Sequence, residues 1–164
     1  MSAWVGRSAE EKALLNPAFC ASLLWHFASS GGEDRRELTF AETYLVLPFV
    51  LPKNSREALP RSTRTSLAVW LDQNPLFHTA FAIRARAMIP FTKEALIFGG
   101  MRQVFHVSAE AVIANKEWKN RTNLAFRRSS PETQACLKKA AFLGSWFTEA
   151  GSASTVMALP GVRP

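Results

Sequence analysis

Residues 39–52 read TFAETYLVLPFVLP. Thr39 and Glu42 stand in the Thr-x-x-Glu pattern of a capping box, in which each side chain satisfies a backbone N–H left open at a helix start. Behind them Tyr44, Leu45, Val46, Leu47, Phe49, Val50 and Leu51 are apolar nearly all round. A surface helix carries one apolar stripe, whereas a helix that is apolar on every side belongs inside. The pattern therefore predicts a central, buried helix. Pro48 is expected to kink this helix rather than end it, because the apolar run continues beyond it.

The flanking sequence supplies helices to surround it. Upstream, Asn16-Pro17 sets an N-cap before a proline at the first helical position. Ala18, Phe19, Leu23, Leu24 and Phe27 follow at helical spacing, and Gly31-Gly32 stops the run. Downstream, residues 53–61 read as a connector with a helical turn at Ser55–Ala58. Ser62 or Thr63 then caps a short helix carrying Leu67, Val69, Trp70 and Leu71. Asn74-Pro75 opens a helix through Phe77, Phe81 and Ile83 to about Met88, which Pro90 closes. Thr92 caps a further helix ending at Gly99-Gly100. Ser130-Pro131 starts a last helix over 131–149, with Cys136, Leu137, Ala140, Phe142, Leu143 and Trp146 mostly on one side and Gly151 beyond its end.

One stretch breaks the helical period. Val104–Val107 alternate, and Ala111, Val112 and Ile113 follow a Ser-Ala-Glu break, which reads as a short β-hairpin. The fold class is thus mainly α, a compact multi-helix domain with one short β-hairpin. The segments 62–73, 75–89 and 92–101 followed by the hairpin give it a winged-helix-like order. With 164 residues and 48% hydrophobic side chains, the whole chain, 1–164, is expected to form a single domain. Residues 1–9 are expected to be a flexible N-terminus. The tail over 152–164 holds an apolar patch from Thr155 to Val162 and is expected to dock on the domain or on a partner.

Charge is uneven. Residues 1–52 carry four basic and six acidic side chains, and residues 53–164 carry sixteen basic and seven acidic ones, for a net +7 overall. A basic half of this kind serves a nucleic-acid surface, an acidic protein partner, or simply a solvated face. Two cysteines cannot build a disulfide scaffold or a four-cysteine zinc site. The apolar stretch from Leu38 to Pro52, interrupted by Glu42, is too short to span a bilayer. The opening residues have no apolar core of a signal peptide, so the expected location is the cytoplasm, with no membrane partner.

Catalytic patterns are missing from the sequence. It contains neither a Gly-x-x-x-x-Gly-Lys-Ser/Thr loop nor Gly-x-Gly-x-x-Gly, so the chain is not expected to bind ATP itself. His26, His78 and His106 stand apart from one another and from cysteine or carboxylate neighbours at metal-ligand spacing. Cys20 lies on an apolar stripe, where a thiol is inert. No Gly-x-Ser-x-Gly elbow occurs. The expectation is a protein that is not an enzyme and takes no metal, cofactor or small-molecule substrate.

The residues that could carry function are basic. Lys116, Lys119, Arg121, Arg127 and Arg128 fall within thirteen positions and are interleaved with Trp118 and Phe126. Lysine and arginine neutralise phosphates and an exposed aromatic stacks on bases, so these five are the candidate nucleic-acid-binding residues. The alternative is that Trp118 and Phe126 pack inward while the charges stay solvated. Lys53, Arg56, Arg61 and Arg64 form a second cluster with the same two readings. Arg84 and Arg86 could reach an acidic partner or lie along the surface.

Several phrases in order along the chain resemble one family. They include Asn16-Pro17-Ala18-Phe19-Cys20 with Leu23-Leu24-Trp25, then Leu45–Leu51, Ser55-Arg56-Glu57-Ala58-Leu59-Pro60, and Ser66-Leu67 with Trp70-Leu71. Arg84-Ala85-Arg86, Thr92–Gly99, Leu143-Gly144 with Trp146-Phe147, Ala150–Val156 and Leu159–Pro164 complete the set. Together they resemble the middle component of bacterial three-component ABC systems. The resemblance implies a non-enzymatic accessory protein with two partners: an ABC ATPase of the chromosome-maintenance and DNA-repair type, and a third component bearing effector domains. It implies ATP on the partner ATPase only, and a role in defence against phage or plasmids. It carries no catalytic residue to this chain. Direct contact with DNA stays open, and a stand-alone winged-helix-like DNA-binding regulator is the alternative function.

Overall fold

The computed structural model describes residues 6–31, 36–158 and 160–161, with the side chains of His78 and Thr79 left aside. Its helices are α1 (Ala9–Leu14), α2 (Pro17–Ser29), α3 (Thr43–Val50), α4 (Lys53–Ala58), α5 (Leu67–Gln73), α6 (Pro75–Met101), α7 (Lys119–Arg128), α8 (Pro131–Glu149) and α9 (Ala153–Ala158). Strands β1 (Phe105–Val107) and β2 (Val112–Ala114) pair antiparallel, with Phe105 opposite Ala114 and Val107 opposite Val112.

The central helix is where its composition puts it. Thr43, Leu45, Val46, Leu47, Pro48, Phe49 and Val50 of α3 are all buried, and the helix runs through Pro48 to Val50. The capping box forms one turn upstream. The Thr39 backbone N–H donates to Glu42 Oε2 at 2.8 Å, and the Glu42 N–H donates to Thr39 Oγ1 at 3.3 Å. Around α3, Phe49 anchors an aromatic cluster with Phe77, Phe81, Trp70 and Phe147, at ring separations of 4.5 to 6.1 Å. Edge and offset geometries at such separations add to the area term of burial.

Helix α2 is capped by Asn16, whose side chain accepts from the Ala18 N–H at 2.8 Å. It buries Cys20, Ala21, Leu23, Leu24, Trp25 and Phe27, and packs chiefly against α8 and α6. The approach to α8 is close. A methyl group built on Gly144 would lie 2.1 Å from the Phe27 carbonyl oxygen. Ser145 Oγ also donates to the Ser30 carbonyl across this seam at 3.1 Å.

Each deeply buried tryptophan ties a connector to the core. Trp25 Nε1 donates to the Asn115 carbonyl at 3.0 Å, Trp70 Nε1 to Ala58 at 2.8 Å, and Trp146 Nε1 to Thr65 at 2.7 Å. An indole N–H in an apolar interior must find an acceptor, and loop carbonyls need a donor, so each bond satisfies both.

Two boundaries differ from the sequence reading. The cap of α5 is Ser66, whose Oγ accepts from the Val69 N–H at 3.3 Å, and not Ser62 or Thr63. The greater difference is α6, one 27-residue helix through Pro90 where the sequence reading placed two. Pro90 and Arg86 both lie on the exposed side. The carbonyl that loses its donor there faces water, which lowers the penalty of an internal proline. Meanwhile Phe81 and Ala85 before it, and Thr92, Ala95 and Leu96 after it, are all buried. Thr92 is not a cap; its Oγ1 donates back to the Met88 carbonyl at 3.2 Å. The order before the hairpin is therefore a short helix and one long helix, not the three segments that suggested a winged helix.

The end of α6 is also specific. Gly99 is buried, and a Cβ there would lie 2.2 Å from the Phe105 ring, so glycine admits the first strand. Val104 N–H donates to the Gly99 carbonyl and Gln103 N–H to Gly100, with Gln103 at φ 55°. This is a Schellman closure with a non-glycine residue in the left-handed position.

At the termini, residues 1–5 and 162–164 lie outside the described residues. Arg7 is buried against Glu94, and Ser8 caps α1 through a full capping box. Val156 and Met157 of α9 are buried in the common core.

Candidate functional site

The basic segment after the hairpin is helical. Asn115 opens it: its Oδ1 accepts from the Glu117 N–H at 3.0 Å, and its amide donates to the Gln103 carbonyl at 2.8 Å. A single turn over Lys116–Trp118 leads into α7. Trp118, Thr122 and Phe126, four residues apart, form its inward stripe. Thr122 is buried and the two aromatics are half-buried. Both aromatics of the candidate set thus pack inward over part of their surface.

The five basic residues are all exposed. At 100° per residue they fall on two sides of the inward stripe. Lys116, Lys119 and Arg127 lie on one flank, and Arg121 and Arg128 on the other. Lys116, Lys119 and Asn123 wall a groove of about 700 Å³ shared with His26, Arg36 and Glu37. Arg121 borders a more apolar groove of about 470 Å³ lined by Phe19, Phe98, Trp118 and Leu137. Its guanidinium lies 5.2 Å from the Trp118 ring centre, and Arg102 sits likewise 5.2 Å from Phe98. Arg127 and Arg128 occupy the last turn of α7, where cations also complement the helix dipole. The structure gathers the candidates on one short helix, but not on one face.

The second basic cluster does not assemble. Arg56 is buried, donating to the carbonyls of Val50 at 2.8 Å and Leu51 at 3.1 Å, and paired with Glu132. It closes the C-terminus of α3 and bolts it to the start of α8. Lys53 pairs with exposed Glu57, at 3.8 Å. Arg84 donates to Ser55 Oγ at 2.6 Å, while Arg86 is exposed.

The ion pairs that tie elements together follow no spacing rule. Arg36 grips fully buried Glu42 through two bonds of 2.9 and 2.6 Å, and donates to the carbonyls of Phe147 at 2.8 Å and Gly151 at 2.5 Å. One guanidinium thereby joins the capping box of α3 to the C-terminal end of α8. Arg7 with Glu94 and Arg56 with Glu132 are pairs between residues far apart in the sequence. Their partners are brought together only by tertiary structure, so no spacing rule finds them.

Burial disfavours the charged forms of both cysteines and of His26. Burial pushes the Cys20 thiol up to about 12 and raises Cys136 as well, so neither is a thiolate nucleophile. Burial lowers the pKa of His26. Among the described residues no group of three or more His, Cys, Asp or Glu side chains could hold a metal ion, and no helix is long and apolar enough to cross a membrane.

Fold and surface together define a small, mainly α protein with an exposed basic helix and exposed aliphatic side chains. The chain belongs to the ABC-three component (ABC-3C) system Middle Component 3 family, whose model matches residues 4–164. It is therefore a middle component of such a system. No curated protein and no solved structure matches the chain.

Proposed function

We propose that this middle component is a non-enzymatic adaptor that couples the system's ABC ATPase to its effector-bearing third component. The observation that carries the reading is the family match over residues 4–164. The buried, protonated thiols support it, because they remove the two strongest nucleophiles from the surface. In this reading ATP binds the partner ATPase, and the complex acts against phage or plasmids.

The test is co-expression with the system's ABC ATPase and third component, followed by size exclusion with mass measurement, with and without ATP and DNA. A stable complex containing the ATPase is the expected result. Elution of the chain alone under every condition would overturn the adaptor.

A second reading adds direct DNA contact through α7. It rests on the five exposed basic residues there and on Trp118 beside Arg121. Phosphate contacts make binding fall steeply with salt. The double variant Arg127→Glu, Arg128→Glu is expected to weaken duplex binding and flatten that dependence by about two phosphates. Unchanged salt dependence would remove α7 from the DNA. The stand-alone regulator would take over only if the isolated chain bound DNA and joined no ATPase.

A further inference from the structure

Helix α6 presents a second face that none of the described residues covers. Leu76 is 86% exposed, Ile83 74%, Ile97 62% and Met101 81%. Exposed Ala80, Ala87 and Pro90 lie between them on the same side. Leu76, Ile83, Pro90 and Ile97 recur every seven residues, which is the spacing of a seam between packed helices. Over 27 residues at 1.5 Å each, the face is roughly 40 Å long. Scattered exposed hydrophobics are ordinary, but a row of them along one helix marks a binding surface.

Charge states what fits it. Of the charged side chains of α6, Arg84 is held by Ser55 and Glu94 by Arg7. The two exposed ones, Arg86 and Lys93, are both cations. They stand seven residues apart along one edge of the apolar row. Beyond that edge lies a groove of about 730 Å³ with Tyr44, Ile89 and Met157 in its walls and the same two cations at its rim. A second copy of this chain is a poor occupant. Antiparallel pairing about Pro90 would match Ile83 with Ile97, but it would also bring Arg86 within one residue of Lys93 on the shared edge, cation near cation. Like charges across an interface are repulsive and exclude the wrong partner.

We infer that the outer face of α6 docks an amphipathic helix of another component of the system, one with apolar residues at seven-residue intervals and carboxylates along the edge that meets Arg86 and Lys93. This rests on the adaptor reading, since it requires a protein partner. The apolar row supplies affinity and the two cations set the register of the incoming helix.

The experiment uses the full chain co-expressed with the other two components, as wild type, as Ile83→Ser with Ile97→Ser, and as Arg86→Glu with Lys93→Glu. All four side chains are exposed, so the melting temperature of each variant is expected to stay at the wild-type value. The expected result is that wild type retains both components while each double variant loses one of them, by about 100-fold in Kd. The α7 variant Arg127→Glu, Arg128→Glu is expected to retain both. If wild type forms the complex and both α6 variants form it equally well, the docking face is refuted and the adaptor stands. If wild type retains neither component, the adaptor falls and the docking face with it. If the isolated chain is a dimer that Ile83→Ser with Ile97→Ser dissociates, the occupant is a second copy and the inference is overturned.

Discussion

Replacing Gly144 by alanine sets two effects against each other. In a helix interior alanine is favoured over glycine by about 1 kcal/mol, so α8 in isolation would gain. In the folded chain the new Cβ would lie 2.1 Å from the Phe27 carbonyl oxygen and 2.1 Å from Ser30 Oγ. The hydroxyl can rotate away, but the carbonyl belongs to the backbone of α2. Ordinary contact needs about 3.5 Å, so α2 and α8 must part by roughly 1 Å along their main seam. Overpacking of this kind costs about 1–3 kcal/mol. The bond from Ser145 Oγ to the Ser30 carbonyl, now 3.1 Å, stretches with it and forfeits about 1 kcal/mol more. The net expectation is a loss of about 1–3 kcal/mol, or roughly 2–12 °C in melting temperature for a chain of this size. Gly100 is the control. It is helical and exposed, with nothing within 4 Å of its would-be Cβ, so Gly100→Ala is expected to be neutral or to gain up to about 1 kcal/mol. Urea unfolding of both variants, followed by tryptophan fluorescence at a common slope, measures the pair. Wild-type or greater stability of Gly144→Ala would refute the close approach of α2 and α8.

Three further outcomes are expected. Arg36→Ala strips the cation from fully buried Glu42 and two carbonyls of their donor, and should cost about 3 kcal/mol in urea; adding Glu42→Gln should recover part of it, and an Arg36→Ala loss below about 1 kcal/mol would contradict the structure. His26 has its pKa lowered by burial from the ordinary 6.5, so the unfolded chain binds a proton more readily than the folded one. Stability is then lost as pH falls through 6.5 toward the folded value, and His26→Phe should show a shallower loss between about pH 7 and 5; identical profiles would place the imidazole in water. Gln103→Gly relieves the left-handed φ of 55° and should raise stability by about 1 kcal/mol in the same assay, whereas a loss would mean that the glutamine side chain holds the turn.

What was legible in the sequence was local. The Thr39–Glu42 box, the Asn16-Pro17 and Ser130-Pro131 starts and the alternation around Phe105 are short-range chemistry, and the elements they announce are present. Pro90 is also a local signal, and there tertiary burial on both sides overrode it. Cutting α6 at Pro90 also hid the seven-residue recurrence from Leu76 to Ile97, which needs one continuous helix to be seen. For α7 the charges were visible but the helix was not, because its inward stripe of Trp118, Thr122 and Phe126 contains a polar member. Arg56 was grouped with surface cations because composition does not distinguish a buried guanidinium from a solvated one. The role of Arg36 has no local signal, since half its partners lie more than a hundred residues away.

The all-apolar character of α3 also bears on the order in which the chain is made. A ribosome that has released α3 has yet to synthesise α6 and α8, the helices that cover it. At roughly 5–20 residues per second, the interval between the end of α3 and the end of α8 lasts on the order of 5–20 s. Until α8 is complete this all-apolar helix is only partly covered, and the Arg36–Glu42 clasp cannot yet reach the carbonyls of Phe147 and Gly151. Nascent chains halted between Val50 and Pro131 would therefore be clients for chaperones, and a premature stop in α8 would leave a chain that cannot close.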